Sequence, residues 1–194
     1  MKNFSLPRLN ANRVCLRPLV ESDVDALFDI FSDAQVMRYW STAPLENKEA
    51  ARSLYEEIAL ANSRGSMKKW GVATLADDTV IGTATLFNLE ISNGRAELGY
   101  AQNRARWGQG FMHEALQALL DYSFNQLNLR RLEADVDPRN AASIRTLERL
   151  GFQREGLLRE RWHVNGEIQD AYFYGLLRRE WRQPHLSGPI NGKS

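Results

Sequence analysis

The stretch that most constrains this chain is Arg104-Ala105-Arg106-Trp107-Gly108-Gln109-Gly110-Phe111-Met112. It lies between a strand-like segment, Arg95-Ala96-Glu97-Leu98-Gly99-Tyr100-Ala101, and a segment where Ala115, Leu116, Leu119, Leu120 and Phe124 recur at helical spacing. The backbone must therefore swing from strand to helix within a few residues. Glycines let it approach a ligand closely, and the first-turn N–H groups of the helix have no partner within the helix. Aligned peptide dipoles add roughly half a positive charge at that end. With Arg104 and Arg106 just ahead, the turn is a candidate cradle for a phosphorylated ligand. It lacks the Gly-Lys-Ser/Thr of NTP-hydrolysing loops. Only Gly108-Gln109-Gly110 fits the dinucleotide fingerprint, since position 113 is His.

Around this turn the pattern predicts a single α/β domain over residues 8–182. Residues 13–18 alternate as a strand that stops at Pro18, and Ser22 with Asp25 opens a helix that buries Ala26, Leu27, Ile30 and Phe31. The aromatic loop Met37-Arg38-Tyr39-Trp40-Ser41 precedes a second helix, about 47–63, ended by Gly65. Strands follow at about 69–76 and 79–87 around Asp77-Asp78, and at about 95–101. A helix of about 111–127, a strand of 131–136 and a short helix of 141–150 closed by Gly151 come next. Asn165-Gly166 marks a two-residue hairpin turn between strands of about 152–164 and 167–177. The order β-α-α-β-β-β-α-β-α-β-β predicts one central, mixed, mostly antiparallel twisted sheet of about six or seven strands flanked by about four helices. The tail of residues 183–194, with Pro184, Gly188, Pro189 and Gly192, is expected to be loose.

Composition narrows the functional classes. A net charge of +1 over 194 residues argues against a nucleic-acid binder. The single cysteine, Cys15, excludes an internal disulfide and a multi-thiolate metal site, and reads as a small buried side chain. His113, His163 and His185 share no metal-ligand spacing, so no metal is expected. No apolar run is long enough to span a membrane and none resembles a signal peptide, so the expected setting is cytoplasmic.

Five segments in order carry a resemblance: Ala96-Glu97-Leu98-Gly99-Tyr100, Trp107 through Leu116, Asn140-Ala141-Ala142-Ser143, Leu150-Gly151-Phe152 with Arg154-Glu155-Gly156, and Asn165-Gly166 with Asp170. Together they resemble the GNAT-fold acyl-CoA N-acetyltransferases, in the ribosomal-protein (RimJ/RimL) group. The resemblance implies that Trp107, Gly108, Gln109, Gly110, Phe111 and Met112, helped by Arg104 and Arg106, bind the pyrophosphate of acetyl-CoA. It implies that Gly99, Tyr100 and Ala101 part from the next strand and pair with the pantetheine arm. Asn140 would touch that arm, and Ser143 would lie near the sulfur as a proton donor to the leaving thiolate. Tyr39, Trp40 and Trp162 are the candidates for acceptor binding. The acceptor would be a protein N-terminus or a small-molecule amine, and the protein a monomer or homodimer.

An acceptor α-amine has a free pKa of roughly 8 and a lysine amine about 10.4, so a base is required at neutral pH. The ribosomal-protein enzymes can carry a glutamate where this chain has Trp162. Glu97 is therefore the first candidate, acting through water, with Glu160 second and Tyr100 third. Simpler roles stand beside these: Glu97 as a partner for Arg95, Ser143 as a helix cap, and Asn140 as a helix-entry residue. An acyl-CoA-binding module without turnover, or a binder of some other nucleotide, remains the alternative class.

Overall fold

The computed structural model describes residues 6–164 and 166–181. In chain order it contains β1 (Leu9–Asn10), β2 (Val14–Arg17), α1 (Val24–Phe31), α2 (Ala34–Met37), α3 (Lys48–Arg64), β3 (Lys68–Thr74) and β4 (Val80–Glu90). There follow β5 (Arg95–Gln102), α4 (Phe111–Asp121), β6 (Arg131–Val136), α5 (Ala141–Arg149), β7 (Gln153–Val164) and β8 (Glu167–Leu177). The strands form one sheet of eight, ordered β1-β2-β3-β4-β5-β6-β8-β7. The strand beyond the expected count is the two-residue β1, which pairs Leu9 with Leu16 and Asn10 with Cys15. It is too short to show any periodicity. The short helix α2, capped by Asp33, was likewise not expected from the sequence.

Local chemistry explains most boundaries. Asn47 accepts from the Ala50 N–H at 2.9 Å to start α3, and Gly65 ends it at φ 71°. Gly151, at φ 93°, follows α5 as the sequence suggests. The start of α1 differs from expectation. A 3-10 turn at Glu21–Asp23 precedes it, and Asp23 accepts from the Val20 N–H at 2.8 Å while its carboxylate holds Arg17. Asp23, not Ser22, stands at the N-cap of α1, and its carboxylate closes the preceding turn rather than capping the helix. The helix after the glycine turn is regular only to Asp121 and continues as a wider π-type turn over Tyr122–Gln126. Between β7 and β8, Val164 faces Glu167 and Gly166 has φ 82°. Asn165, His185 and the 183–194 tail lie outside the described residues.

The sheet is covered on both faces. Alternation along β2 sends Val14 and Leu16 to one side and Cys15 to the other. On the first side Met112, Ala115, Leu116, Leu119 and Leu120 of α4 pack with Trp70, Val72, Leu86, Leu98 and Leu132. On the second, Leu27, Ile30 and Phe31 of α1 pack with Cys15, Ala73 and Ala101. Each large side chain buried this way stabilises the fold by roughly 1.5–3 kcal/mol. Cys15 is buried and unpaired, as expected.

β4 and β5 approach closely because Gly82 has no side chain. A β-carbon there would stand 2.6 Å from the Ala101 carbonyl oxygen and 2.9 Å from Met112 Cε. Gly82→Ala is therefore expected to destabilise the protein by about 1–3 kcal/mol. Urea denaturation would read this, and an unchanged midpoint would show that the two strands part freely.

Candidate active site

The site begins where a pairing stops. β5 and β6 are the one parallel pair among the described strands, joined through α4 as parallel neighbours must be. They pair only from Arg95 opposite Arg131 to Glu97 opposite Glu133. Beyond that, β5 stays with β4 as far as Gln102, while β6 follows β8 as far as Val136. The edge of β5 from Leu98 to Gln102 therefore faces a gap. The closed end of the gap is pinned by Glu133, whose carboxylate is 6% exposed and accepts from Arg95 Nη1 and Arg131 Nε, each at 2.6 Å. Arg131 also holds Glu155. The expected pairing of Glu97 with Arg95 is thus replaced, since Arg95 binds Glu133 and Glu90.

Two cavities fill the gap and share Tyr39, Trp40, Tyr100, Asn140 and Ser143 along their common boundary. The inner one, about 240 Å³, is lined by Glu97, Gly99, Trp162, Asp135 of β6, Asp137 just beyond it and Asp170 of β8. The outer one, about 460 Å³, is lined by Ala101, Trp107, Gly108, Met112, Arg38, Arg139 and the first turn of α5. Their charged residues differ in kind, and two of them bond across the boundary, Arg139 holding Asp137 at 2.7 Å and also Glu167 at 2.7 Å. The inner lining holds four carboxylates and no lysine or arginine. The outer lining holds Arg38 and Arg139 and no carboxylate.

The glycine turn is shaped by side-chain bonds that leave its leading amides unclaimed by the helix. Asn103 accepts from the Ala105 N–H at 2.9 Å, Gln102 Nε2 donates to the Arg106 carbonyl at 2.8 Å, and Trp107 Nε1 donates to the Gln102 carbonyl at 2.8 Å. Gly108 and Gly110 have φ 73° and 81°, where a side chain would be strained. A β-carbon on Gly108 would meet nothing within 4 Å. Arg13 anchors the start of α4, donating to the Gln109 carbonyl at 2.9 Å and to Glu114 at 2.7 Å, with its guanidinium 4.5 Å from the Phe111 ring.

The gap brings together most, not all, of the residues singled out from the sequence. Tyr100, Ala101, Trp107, Gly108, Met112, Asn140 and Ser143 line the outer cavity, and Glu97, Gly99 and Trp162 the inner. Arg104, Arg106, Gln109, Gly110 and Phe111 line neither. Arg104 instead holds Asp33 at 2.8 Å. Glu160 is exposed, at φ 52°, and also lines neither cavity.

Asn140, not Ser143, caps α5, accepting from the Ser143 N–H at 3.1 Å. This frees the Ser143 hydroxyl, which lies 2.7 Å from the Tyr100 hydroxyl. Burial pushes the Tyr100 phenol up to about 12 despite that bond. Glu97 accepts from Asn88 Nδ2 at 2.9 Å. Strand alternation sends its side chain to the opposite face of β5 from Tyr100.

Sequence reasoning missed Asp135, Asp137, Arg38 and Arg139, and it marked Asp170 only as part of a matching segment, with no role in the site. The acids alternate with core residues and read as an ordinary solvated face. Burial alone would raise the Asp137 carboxyl, but hydrogen bonds from the Arg139 side chain and N–H outweigh it and hold Asp137 below the usual range. Lys69 was also missed. It is 8% exposed, its ammonium lies 5.1 Å from the Phe31 ring and 6.0 Å from the Trp40 ring, and burial pulls it down to about 8. Among the described residues no helix is long and apolar enough to cross a membrane, and no cluster suited to a metal is present.

Comparison with known proteins gives the same direction. The model of the acetyltransferase (GNAT) domain matches residues 13–153. The chain is 39% identical over 173 residues to the uncharacterized N-acetyltransferase p20 of Bacillus licheniformis, covering 89% of this chain and 97% of that protein. It is 28% identical over 176 residues to the spermidine N(1)-acetyltransferase of Escherichia coli K12, covering 91% and 92%. Mycobacterium smegmatis RimJ, solved in complex with CoA-disulfide, shares the fold at a TM-score of 0.83 and 24% identity, over 93% of this chain and 91% of that one.

The buried ammonium of Lys69, beside the rings of Phe31 and Trp40, yields a test of the packing behind Trp40. The folded state binds its proton less tightly than the unfolded chain does. Its cost is complete below about pH 8 and fades as pH rises toward 10.5. Lys69→Met is expected to stabilise the protein by about 1–3 kcal/mol at pH 7 and by less at pH 10. Urea denaturation at both values checks this, and a gain independent of pH would contradict the burial of the charge.

Proposed function

From the fact that this chain belongs to the GNAT acetyltransferase family, we propose that it moves the acetyl group of acetyl-CoA directly to a primary amine. The outer cavity takes the donor and the inner cavity the acceptor. The difference between the two linings is the observation that supports this reading best. An anionic pyrophosphate suits the leading amides of α4 with Arg38, whereas a cationic amine suits Glu97 and Asp170, the inner carboxylates that no arginine holds. The open space over Gly108 lets backbone and ligand come close. The edge of β5 from Gly99 to Ala101 offers main-chain groups to the amides of the pantetheine arm. A β5 N–H aimed at the thioester oxygen would stabilise the charge that develops there.

The residues divide the proton transfers. Glu97 takes a proton from the acceptor ammonium through water, freeing the nitrogen lone pair for attack on the thioester carbon. The new C–N bond forms as the C–S bond breaks, and the surplus proton on the nitrogen passes through water to restore the Tyr100 phenol once that has protonated the thiolate. Tyr100, whose phenol stays protonated at neutral pH, cannot serve as the base. It donates its proton toward the leaving thiolate, directly or through Ser143. No covalent enzyme intermediate is required, because holding both reactants in one cleft supplies most of the advantage.

For the acceptor, the acid lining with the rings of Tyr39, Trp40 and Trp162 favours a small cationic amine. The spermidine-acetylating relative supports this choice. A protein N-terminus, as the RimJ/RimL grouping suggests, is the second reading, supported by a relative named as a putative ribosomal N-acetyltransferase. The cytoplasm fits a chain whose single cysteine is unpaired.

Release of free thiol from acetyl-CoA in the presence of an amine panel tests the whole reading. Binding of CoA without release for every amine would leave a binding module instead. Tyr100→Phe is expected to lower kcat by about 10²-fold with CoA affinity unchanged, and a variant as fast as the parent removes Tyr100 as proton donor. Gly108→Asp and Gly108→Asn have the same shape, and both tolerate a positive φ better than other residues. The aspartate is expected to weaken CoA binding about tenfold more than the asparagine, by repelling the pyrophosphate. Calorimetry giving equal affinities would remove the anion from the turn.

A further inference from the structure

β7 and β8 make a long hairpin that is irregular at one place, and that place is at the inner cavity. Leu158 faces Ala171, but the next paired residue, Trp162, faces Gln169. Arg159, Glu160 and Arg161 therefore stand opposite Asp170 alone. Glu160, at the middle of this bulge, has φ 52°, a conformation that is strained for a residue with a side chain. One bond fastens it: Asp170 Oδ1 accepts from the Glu160 N–H at 2.8 Å. Arg161 adds a brace by donating to Asp135 Oδ2 at 2.9 Å.

The arithmetic of the register shows what the bulge does. Had the pairing of Leu158 with Ala171 continued without interruption, Glu160 would face Gln169. The two extra residues move Glu160 away and seat Trp162 there. Trp162, Gln169 and Asp170 all line the inner cavity, and Glu160 does not. The bulge thus exchanges a carboxylate for an indole at one position of the wall. Bulges near binding sites commonly re-aim a side chain in this way.

We propose that Asp170 is a positioning residue: by fastening the β7 bulge it sets Trp162, in place of Glu160, as the wall that selects the acceptor. This rests on reading the inner cavity as the acceptor site. The class selected is an amine on a short alkyl chain, whose methylenes pack on the indole while an ammonium group lies against the ring on the side away from the Arg161 guanidinium, which stands 5.2 Å from its centroid.

The test uses the full-length protein with acetyl-CoA and three acceptor probes: n-butylamine, 1,4-diaminobutane and alaninamide. Asp170→Ala is expected to raise KM for the alkylamines about tenfold while kcat stays within about twofold and KM for acetyl-CoA is unchanged. Asp170→Asn keeps an oxygen to accept the Glu160 N–H and is expected to recover most of the loss seen in Asp170→Ala, short of the parental KM only by the one charge removed from the lining. Trp162→Ala is expected to raise the alkylamine KM to a similar degree and leave alaninamide less affected. Glu160→Gly relieves the left-handed strain, so it is expected to melt higher and keep parental KM and kcat.

An Asp170→Asn variant as impaired as Asp170→Ala would overturn the proposal, because charge rather than the bulge bond would be at work. Unchanged alkylamine KM in Trp162→Ala, or loss of kcat in Glu160→Gly, would overturn it too. Acetyl-CoA binding with no transfer to any probe would instead sink the parent reading of the cavity.

Discussion

The cleft exists because two strands are each held more firmly by their outer neighbours than by one another. β5 is paired with β4 along nearly its whole length, and β6 with β8 along all of its own. Their mutual parallel contact ends at Glu97 and Glu133. Parallel ladders are slightly weaker per residue than antiparallel ones, so the seam between two antiparallel blocks is a natural place to open. Glu133 keeps it from opening further. Its buried carboxylate binds an arginine from each strand, and a buried ion pair that loses one partner is costly. The closed end is fixed, and everything beyond it is available to ligands.

From that fixed point the chemistry is arranged by side. Tyr100 projects toward α5 and meets Ser143, while Glu97 projects to the other face, toward Asn88. The Glu97 carboxylate and the Tyr100 hydroxyl are thus separated by the strand that carries them. Arg13 contributes at a distance: by tying the first turn of α4 to the beginning of β2, it fixes the direction in which the leading amides point.

Much of this was legible in the sequence because it is written in short-range signals. Helical spacing at Ala115 to Leu120, the glycines at 108 and 110, and Gly65 and Gly151 as helix ends all act within a few residues. The partners of charged groups were not legible. The sequence sets Arg104 beside the glycine turn but does not show that it bonds Asp33, and it offers Arg95 as a partner for Glu97, which bonds Asn88. Those choices depend on which distant segment lies alongside, and no local pattern records that. The role of the acids at 135, 137 and 170 was hidden for a different reason. On a strand, alternate polar residues look the same whether they face water or a cavity. The β7 bulge was invisible because nothing in Arg159-Glu160-Arg161 forbids a regular ladder. The bulge is evident only once the pairing with β8 is known.

β7 is also the outermost strand of the sheet, with one flank open along a dozen residues. An open flank of that length is a template on which neighbouring chains in a crowded cell can stack. Here the backbone is kinked twice, once near Glu155 and again at Glu160, and Arg154, Glu155, Arg159, Glu160 and Arg161 crowd the rim with charge. A straight foreign strand finds no continuous ladder to join. The same distortion that brings Trp162 to the inner cavity therefore breaks the rim into short pieces, the form in which an edge strand is least able to accept a partner.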